Sequence, residues 1–300
     1  MLEPIGVEKQ SLITSLGSMV YYTPTQPPWQ EKDQSDSENI PTLIFLHGFG
    51  GGSSAYEWSK VYPAFACDYR VIAPDLIGWG RSDHPDRNYR PEDYIGTIIE
   101  FIEKTGNLPT TVIASSLTAA FTIRAAIERP DLFKSLILTT PAGLSDFGED
   151  YTRSPFAQII KVPFLDKLLY SAGVATSGGI SSFLQNSQFA RPERVFPEIV
   201  EAYRQSAQQP NAEYAALSFV RGDLCFDLSK YITQLKTPTA ILWGRKSQFT
   251  GPEIGKRLAA LNREAVKVFL ELDDVGLTPQ LELPGVTIGL ICKFLKLLND

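Results

Sequence analysis

The sequence predicts an α/β protein in which an eight-stranded, mostly parallel sheet carries helices on both faces. Short apolar runs rich in β-branched residues alternate with amphipathic stretches of helical length along most of the chain, a pattern typical of this class. The alternation stops after Pro141, and about 90 residues pass before strand-like runs resume. The sequence therefore predicts a sheet domain interrupted by one insertion.

Each strand is predicted from its own apolar run. Residues 11–16 and 18–23 form an opening hairpin, and further strands follow at 42–47, 70–75, 110–115, 135–140, 239–243 and 266–272. The interruption contains three stretches with helical periodicity, which predict a helical cap at residues 142–236 between core segments 1–141 and 237–300. We expect the proline-rich, polar segment 25–40 to be a mobile surface loop.

The composition argues against several function classes. A net charge of -6 and the lack of any lysine- and arginine-rich stretch disfavour a nucleic-acid partner. Cys67, Cys225 and Cys292 fit neither a disulfide framework nor a metal site, and we expect reduced, buried thiols. No apolar run reaches about 18 residues and no leader pattern opens the chain, so we expect a cytoplasmic protein without a transmembrane segment, metal or cofactor.

Three segments carry a family resemblance. The third predicted strand ends in LHGFGGG (46–52), the fourth ends in APDLIGWGRSD (73–83), and the fifth runs directly into the turn 114–118, ASSLT. Together with the position of the cap, these segments resemble the α/β-hydrolase superfamily over nearly the whole chain. The similarity is strongest to its capped branch of epoxide hydrolases, haloalkane dehalogenases and carbon-carbon bond hydrolases. The resemblance implies a ligand site between core and cap.

The resemblance identifies Ser116 as the elbow serine. In the family pattern G-x-S-x-G, the residues two before and two after the serine must be small, and Ala114 and Thr118 take those places here. Choosing Ser115 would put bulky side chains there. The implied oxyanion hole consists of the backbone N–H groups of Leu117 and Phe49.

The other two members of the catalytic triad are missing from their expected positions. The family pattern W-G-x-x-D-x-F reads WGRKSQF (243–249), with Ser247 at the place of the acid, and G-H is replaced by Gly276-Leu277 before a matching tail. The chain has two histidines, of which we expect His47 to brace the loop after the third strand. A serine hydroxyl needs an adjacent base to attack a substrate, so ordinary hydrolase turnover is not expected. Alternative bases left open are His84, Lys246, Asp273 and Asp274, whereas Asp146, at a place where some relatives have the triad acid, has no histidine to orient.

The first functional hypothesis is a non-catalytic or very slow relative of hydrolases that binds a small apolar molecule between core and cap. The predicted ligand contacts are Gly48, Phe156, Ile159, Phe164, Leu168, Tyr170 and Phe183. A second is a hydrolase or acyltransferase that uses Ser116 with an unconventional base, and a third is a protein-interaction pseudoenzyme with an unidentified partner. Epoxide-hydrolase and dehalogenase mechanisms are excluded because both need a carboxylate in place of Ser116.

Overall fold

The predicted sheet is present in the computed structural model, which describes residues 3–29, 40–105, 107–149 and 170–299. Strands β1 (Val7–Thr14) and β2 (Gly17–Pro24) form the antiparallel hairpin at one edge. β2 also pairs antiparallel with β4, and the other neighbouring strands are parallel. The spatial order is β1-β2-β4-β3-β5-β6-β7-β8. The remaining strands are β3 (Thr42–Leu46), β4 (Arg70–Pro74), β5 (Thr110–Ser115), β6 (Phe133–Thr139), β7 (Thr239–Gly244) and β8 (Val266–Leu272).

The two faces of the sheet belong to two hydrophobic cores, because successive side chains of a strand point to opposite sides. In β3, Ile44 and Leu46 lie in the larger core, whereas Leu43 and Phe45 lie in the smaller one. The larger core is covered by helices α1 (Pro91–Thr105), α2 (Ser116–Glu128) and α6 (Pro252–Leu261), and the smaller one by the C-terminal helix α8 (Pro284–Asn299). Helices on both faces confirm the predicted class.

Helix α1 illustrates how the sequence determines an element. It begins with Pro91, followed by two acidic residues in its first turn, and Lys104 lies in its last turn, which suits the helix dipole at both ends. Its buried residues include Tyr94, Ile98 and Phe101, which recur at helical spacing and face the larger core. Burial of one such side chain stabilises the fold by about 1.5–3 kcal/mol.

The regular elements described between β6 and β7 are helical, apart from one isolated bridge between Leu144 and Phe226, and loops connect them. The helices include two short π-helical turns and several 3-10 turns. The α-helices are α3 (Ser177–Phe183), α4 (Pro197–Ala207) and α5 (Ala212–Arg221), and the π-helical turns are Tyr170–Val174 and Leu184–Gln188. A short helix α7 (Pro279–Glu282) precedes α8. The domain boundaries at 141/142 and 236/237 stay a prediction.

One expectation about surface features is wrong, and another falls mostly on residues that the structure does not describe. The three cysteines form no disulfide within the described residues, but Cys67 and Cys292 are exposed and Cys225 is half-buried, so the prediction of buried thiols is wrong. Cys292 lies on the outer side of α8, a position that helical periodicity alone assigns to the surface. Most of the predicted loop at 25–40 lies outside the described residues. No helix of the described chain is long and apolar enough to span a membrane.

Candidate functional site

The turn between β5 and α2 holds Ser116 in a strained backbone conformation. Its φ is +58°, in the left-handed region that residues with a Cβ rarely occupy, whereas the preceding Ser115 is extended with φ -118°. Ala114 and Thr118 are fully buried on either side, and Ser116 is half-buried. Strain of this kind persists only where the surroundings enforce it, and the sharp turn agrees with the predicted elbow, while the role of Ser116 as elbow serine stays a prediction.

The loop after β3 lies against this turn. A Cβ on Gly48 would stand 3.3 Å from Ser116 Cβ and 3.5 Å from Ser115 Oγ, so the two segments pack closely and a side chain on residue 48 would press against Ser116. The ring of Phe49 is enclosed by four aromatic rings at centroid distances of 4.7–6.2 Å, which fixes the loop in place. The predicted contact residue Gly48 therefore does border Ser116.

Two backbone N–H groups near the turn have no hydrogen-bond acceptor among the described residues. Among the hydrogen bonds of the described residues, none uses the N–H of Phe49 or of Leu117 as donor, although both residues are buried. Unpaired buried N–H groups are costly and are rare in folded proteins. These are the two donors that the sequence predicts for an oxyanion hole, and their convergence on one acceptor oxygen stays a prediction.

His47 has a structural role and does not serve Ser116. Its Nε2 accepts the N–H of Leu76 at 3.0 Å, so its Nδ1 carries the proton and donates to the carbonyl of Gly48 at 2.8 Å. The ring is completely buried, which lowers its pKa from 6.5 to about 4. The predicted bracing of the loop by His47 is confirmed.

Leu277, which the sequence predicts at the place of the triad histidine, follows β8. Leu277 is buried, with 6% of its surface exposed, and its N–H donates to the carbonyl of Gln188 in the cap region at 2.8 Å. The preceding Gly276 also contacts the cap, since a Cβ there would lie 2.4 Å from the oxygen of Gln188. An aliphatic side chain at this place can neither accept nor deliver a proton.

Ser247 follows β7 at the predicted place of the acid. Its N–H donates to Gly244 at 3.1 Å, while its buried Oγ has no hydrogen-bond partner within the described residues. The loop that carries it contacts the loop of Leu277, because Lys246 N–H donates to Val275 at 2.9 Å. The structure thus brings the two loops together, and the orientation of Ser247 and Leu277 toward Ser116 stays a prediction.

The acidic candidates after β8 are engaged in ion pairs. Asp274 receives Arg191 at 2.7 Å and Arg194 at 3.0 Å, and these arginines hold the pKa of its carboxyl below the usual range. Asp273 is exposed and pairs with Arg245 at 2.6 Å. Neither carboxylate is hydrogen-bonded to Ser116, which argues against both as its base.

The other charged or titratable candidates also form no hydrogen bond to Ser116 within the described residues. Asp146 is buried and accepts the N–H groups of Gly143 and Leu228 at 2.9 and 2.8 Å, and burial raises its pKa to about 6. His84 interacts through Nε2 with the carbonyl of Gly80 at 3.2 Å. Lys246 is exposed. None of these side chains is hydrogen-bonded to Ser116 in the described part of the chain.

Two of the six predicted cap contacts can be examined. An edge carbon of Phe183 lies 3.3 Å from the Cβ position of Gly50, and its ring lies 6.0 Å from that of Phe249, which follows β7. Phe183 therefore spans the loops on both sides of the elbow. Tyr170 is buried and donates to the carbonyl of Ala207 at 3.0 Å, a contact within the cap region. The other four residues, Phe156, Ile159, Phe164 and Leu168, lie outside the described residues.

A buried carboxyl, Glu57, lies beside the site and was not predicted from the sequence. It is 1% exposed, it accepts the N–H of Gly48 at 2.9 Å on one oxygen, and it accepts the hydroxyl of Tyr203 at 3.0 Å on the other. Burial raises its pKa, while the hydrogen bonds to Gly48 and Tyr203 oppose the rise. One signal in the sequence could have revealed it: an acidic residue between Tyr56 and Trp58 in an otherwise apolar stretch.

Polar side chains extend from Glu57 toward the loop of Leu277. Gln188 donates from Nε2 to the hydroxyl of Tyr203 at 2.9 Å and approaches the hydroxyl of Thr278 at 3.4 Å. Gln280 donates to Ser115 Oγ at 3.2 Å. All of these residues are buried.

Within the described residues, no group of three metal-ligating side chains is close enough to hold a metal ion.

Known proteins resemble this chain in sequence and in fold. A family model described as alpha/beta hydrolase fold matches residues 41–274. Epoxide hydrolase 4 of Mus musculus is 26% identical over 270 residues, which is 85% of this chain and 73% of that protein. A haloalkane dehalogenase of Bradyrhizobium diazoefficiens is 24% identical over 280 residues, 87% of this chain and 86% of that protein. The solved structure of the epoxide hydrolase CorEH has a TM-score of 0.76 at 19% identity and covers 97% of this chain and 99% of its own.

Proposed function

This chain belongs to the alpha/beta hydrolase fold family, and within that family we propose that it binds a small, mainly apolar molecule beside Ser116, with turnover that is absent or very slow. The observation that carries the proposal is the buried side chain of Leu277 at the place where the family has its histidine. Its backbone N–H is hydrogen-bonded to the carbonyl of Gln188. A carboxylate nucleophile is also missing, since residue 116 is a serine. The mechanisms of epoxide hydrolases and dehalogenases are therefore not proposed for this chain.

The expected loss of rate is large. Removing the base from a serine protease costs about a millionfold in turnover and leaves about 10³ to 10⁴ over water, from the oxyanion hole and substrate binding. The same logic applies to Ser116 as long as no base reaches it. Binding is affected far less, because the backbone donors of Phe49 and Leu117 do not depend on the missing side chains.

The backbone N–H groups of Phe49 and Leu117 indicate which chemical group the ligand should carry. Two buried N–H groups beside Ser116 favour a molecule with one exposed acceptor oxygen, such as a ketone, ester or carboxylic acid. The aromatic side chain of Phe183 and the aliphatic Leu277 favour an apolar remainder. We propose a ligand with a carbonyl-type oxygen at one end and an apolar body.

Native mass spectrometry of protein purified without detergent tests this proposal. We expect a bound small molecule, and we expect Phe183→Ser to lower its occupancy because Phe183 lies over Gly50. The matched control is Phe196→Ser, since Phe196 precedes α4 and is 53% exposed. The proposal would be contradicted by two results together. One is wild-type protein whose mass shows no bound molecule, and the other is a melting temperature that no apolar carbonyl compound raises.

The retained elbow favours a second candidate function. Ser116 keeps a strained left-handed backbone, which costs about 1–3 kcal/mol and is characteristic of functional positions. This supports slow ester hydrolysis or acyl transfer through Ser116. Turnover of 4-nitrophenyl butyrate that falls a hundredfold in Ser116→Ala would move this candidate to first place. Equal turnover of the two proteins would eliminate it.

A further inference from the structure

Glu57 is a buried acid, and no cation among the described residues is paired with it. Besides the Gly48 N–H, the groups around it are the side chains of Tyr203 from α4, Gln280 from α7 and Ser53 from its own loop, all uncharged. Burying a carboxyl costs several kcal/mol unless its hydrogen bonds are satisfied. A buried carboxyl whose hydrogen bonds are satisfied can fix a backbone conformation that an apolar residue cannot.

The loop after β3 is the segment that Glu57 fixes. Gly48 has no Cβ, so its two backbone dihedrals are freer than those of any other residue type. The peptide plane before it is held by the bond from Gly48 N–H to Glu57 Oε2 at 2.9 Å. The plane after it is held by the bond from His47 Nδ1 to Gly48 O at 2.8 Å. The conformation on both sides of Gly48 therefore depends on two side chains.

The second of these planes also contains the N–H of Phe49. A peptide unit is rigid, so its C=O and the following N–H point in opposite directions. The bond from His47 to the Gly48 carbonyl consequently directs the Phe49 N–H away from His47. The bond from Glu57 prevents the preceding plane from rotating and carrying this donor with it. The Phe49 N–H is one of the two free buried donors beside Ser116.

Glu57 is connected to the cap region by its other oxygen. Oε1 accepts from Tyr203, 146 residues further along the chain, and Tyr203 is fully buried on α4. The backbone of Tyr203 contacts the same loop, since a Cβ on Gly52 would lie 2.2 Å from its carbonyl oxygen. Through Gln188, Tyr203 is linked to the segment of Leu277. A movement of α4 would therefore release one oxygen of Glu57.

We propose that Glu57 is the positioning residue of the oxyanion hole: it holds the Gly48 N–H, which aims the Phe49 N–H at the ligand, and through Tyr203 it makes this aim depend on the docking of α4. The inference rests on the proposed binding of an acceptor oxygen at this site. Both oxygens of Glu57 are occupied by Gly48 and Tyr203, and none of the described hydrogen bonds joins it to Ser116. Its role is positioning, and it does not act as a base.

Hydrogen–deuterium exchange of the peptide 46–52 tests the proposal without any ligand. We expect Glu57→Leu to raise exchange of this peptide about tenfold, because a hydrogen bond to a buried carboxyl is lost. Tyr203→Phe should produce a smaller rise. Glu57→Gln should stay near wild type, since its amide oxygen still accepts the Gly48 N–H. The control is Tyr89→Phe, which removes another buried tyrosine hydroxyl, bonded to Pro85 at 3.1 Å.

Two results of the exchange experiment would overturn the proposal. One is unchanged exchange at 46–52 in a folded Glu57→Leu protein. The other is an equal rise in Tyr203→Phe and in Tyr89→Phe, which would indicate general loosening of the core. If Glu57→Leu does not fold, the comparison of Tyr203→Phe with Tyr89→Phe decides, and a rise confined to Tyr203→Phe supports the proposal.

A matched pair of probes links the exchange result to binding. 1,1,1-Trifluoro-2-decanone offers a polarised carbonyl, and 1,1,1-trifluorodecane has the same apolar body without it. We expect Tyr203→Phe and Glu57→Leu to weaken binding of the ketone by about tenfold and to leave binding of the trifluoroalkane unchanged. Equal weakening of both probes, or of neither, would contradict the positioning role. If neither probe binds the wild type, the proposed ligand class fails, while the exchange experiment still tests the role of Glu57.

Discussion

Ser116 combines a side chain with a backbone conformation that favours glycine. With φ at +58°, Ser116→Gly should raise the free energy of unfolding by about 1 kcal/mol, because glycine enters this region without steric cost. The measurement is the urea midpoint of the two proteins. Ser115→Gly is the matched control: Ser115 has φ -118°, so the same change there should destabilise the protein. A Ser116→Gly protein less stable than wild type would show that the turn is not strained.

His47 makes the stability of the protein depend on pH in a defined direction. Its folded-state pKa of about 4 lies below its ordinary value of 6.5, so its contribution is complete above pH 6.5 and is lost as the pH falls toward 4. Asp75 and Asp146, whose folded-state pKa values are raised to about 6, act in the opposite direction in an overlapping range. The effect of His47 must therefore be measured as a difference between proteins.

Urea unfolding of wild type and His47→Gln at pH 7 and pH 5 isolates this effect. Glutamine does not titrate, and its side-chain oxygen can accept the Leu76 N–H. We expect the stability advantage of wild type over His47→Gln to shrink by about 2 kcal/mol between pH 7 and pH 5. An advantage that is constant or larger at pH 5 would mean that His47 is protonated in the folded protein.

At the scale of elements, the segment after β8 is fastened to the cap region by one buried carboxylate. Glu282 accepts the N–H of Gly276 at 2.7 Å and of Ala190 at 2.8 Å. We expect Glu282→Ala to lower the free energy of unfolding by about 3 kcal/mol, because two backbone donors lose their partner in a buried place. Thermal or urea unfolding measures the loss.

Arg191→Ala provides the control for this prediction. Arg191 joins the same two segments through Asp274, but half of its side chain is exposed, and exposed ion pairs contribute under about 1 kcal/mol. Its removal should hardly change the unfolding midpoint. If Glu282→Ala and Arg191→Ala lowered the free energy of unfolding equally little, apolar contacts between cap and core would hold the two segments together, and Glu282 would not.

The elements themselves were predictable because their signals are local. Period-two and helical patterns place the strands within a few residues; the largest shift is in β1, which begins at Val7 and not at residue 11. The elbow was predictable because small residues must flank Ser116. Glu57 was not, because its role arises only when it meets Tyr203, 146 residues away. Contacts at such separations leave no periodic pattern in the sequence, and the same holds for the ion pairs that engage Asp274.

At the scale of the whole molecule, the sheet brings Ser116 and the two segments predicted to lack the triad histidine and acid to one edge. β5, β6, β7 and β8 are consecutive parallel neighbours, so the segments that follow them emerge on the same side. If only the base and acid are missing, Leu277→His with Ser247→Asp should raise hydrolysis of 4-nitrophenyl butyrate by about a hundredfold or more. Each single change should do much less, because histidine needs the acid for its tautomer and orientation.

Stability must be measured alongside the activity of this double variant. Leu277 is buried, and its replacement gives up apolar contacts worth about 1.5–3 kcal/mol. A folded double variant as inactive as wild type would locate the defect in the elbow, where Thr118 replaces the usual glycine. Activity restored by Leu277→His alone would mean that another acid, such as Asp146, orients the new imidazole.

The most direct test of the central claim, that Ser116 lacks a base, is covalent labelling of the wild-type protein with a fluorophosphonate, read by mass spectrometry of the peptide that contains Ser116. A conventional serine esterase in the same tube shows that the reagent is active, and Ser116→Ala reports labelling at other residues. Since only an activated serine reacts quickly, the structure predicts an unlabelled Ser116 under conditions that label the esterase completely. Stoichiometric labelling of Ser116 would contradict the claim and would show that a base reaches its hydroxyl.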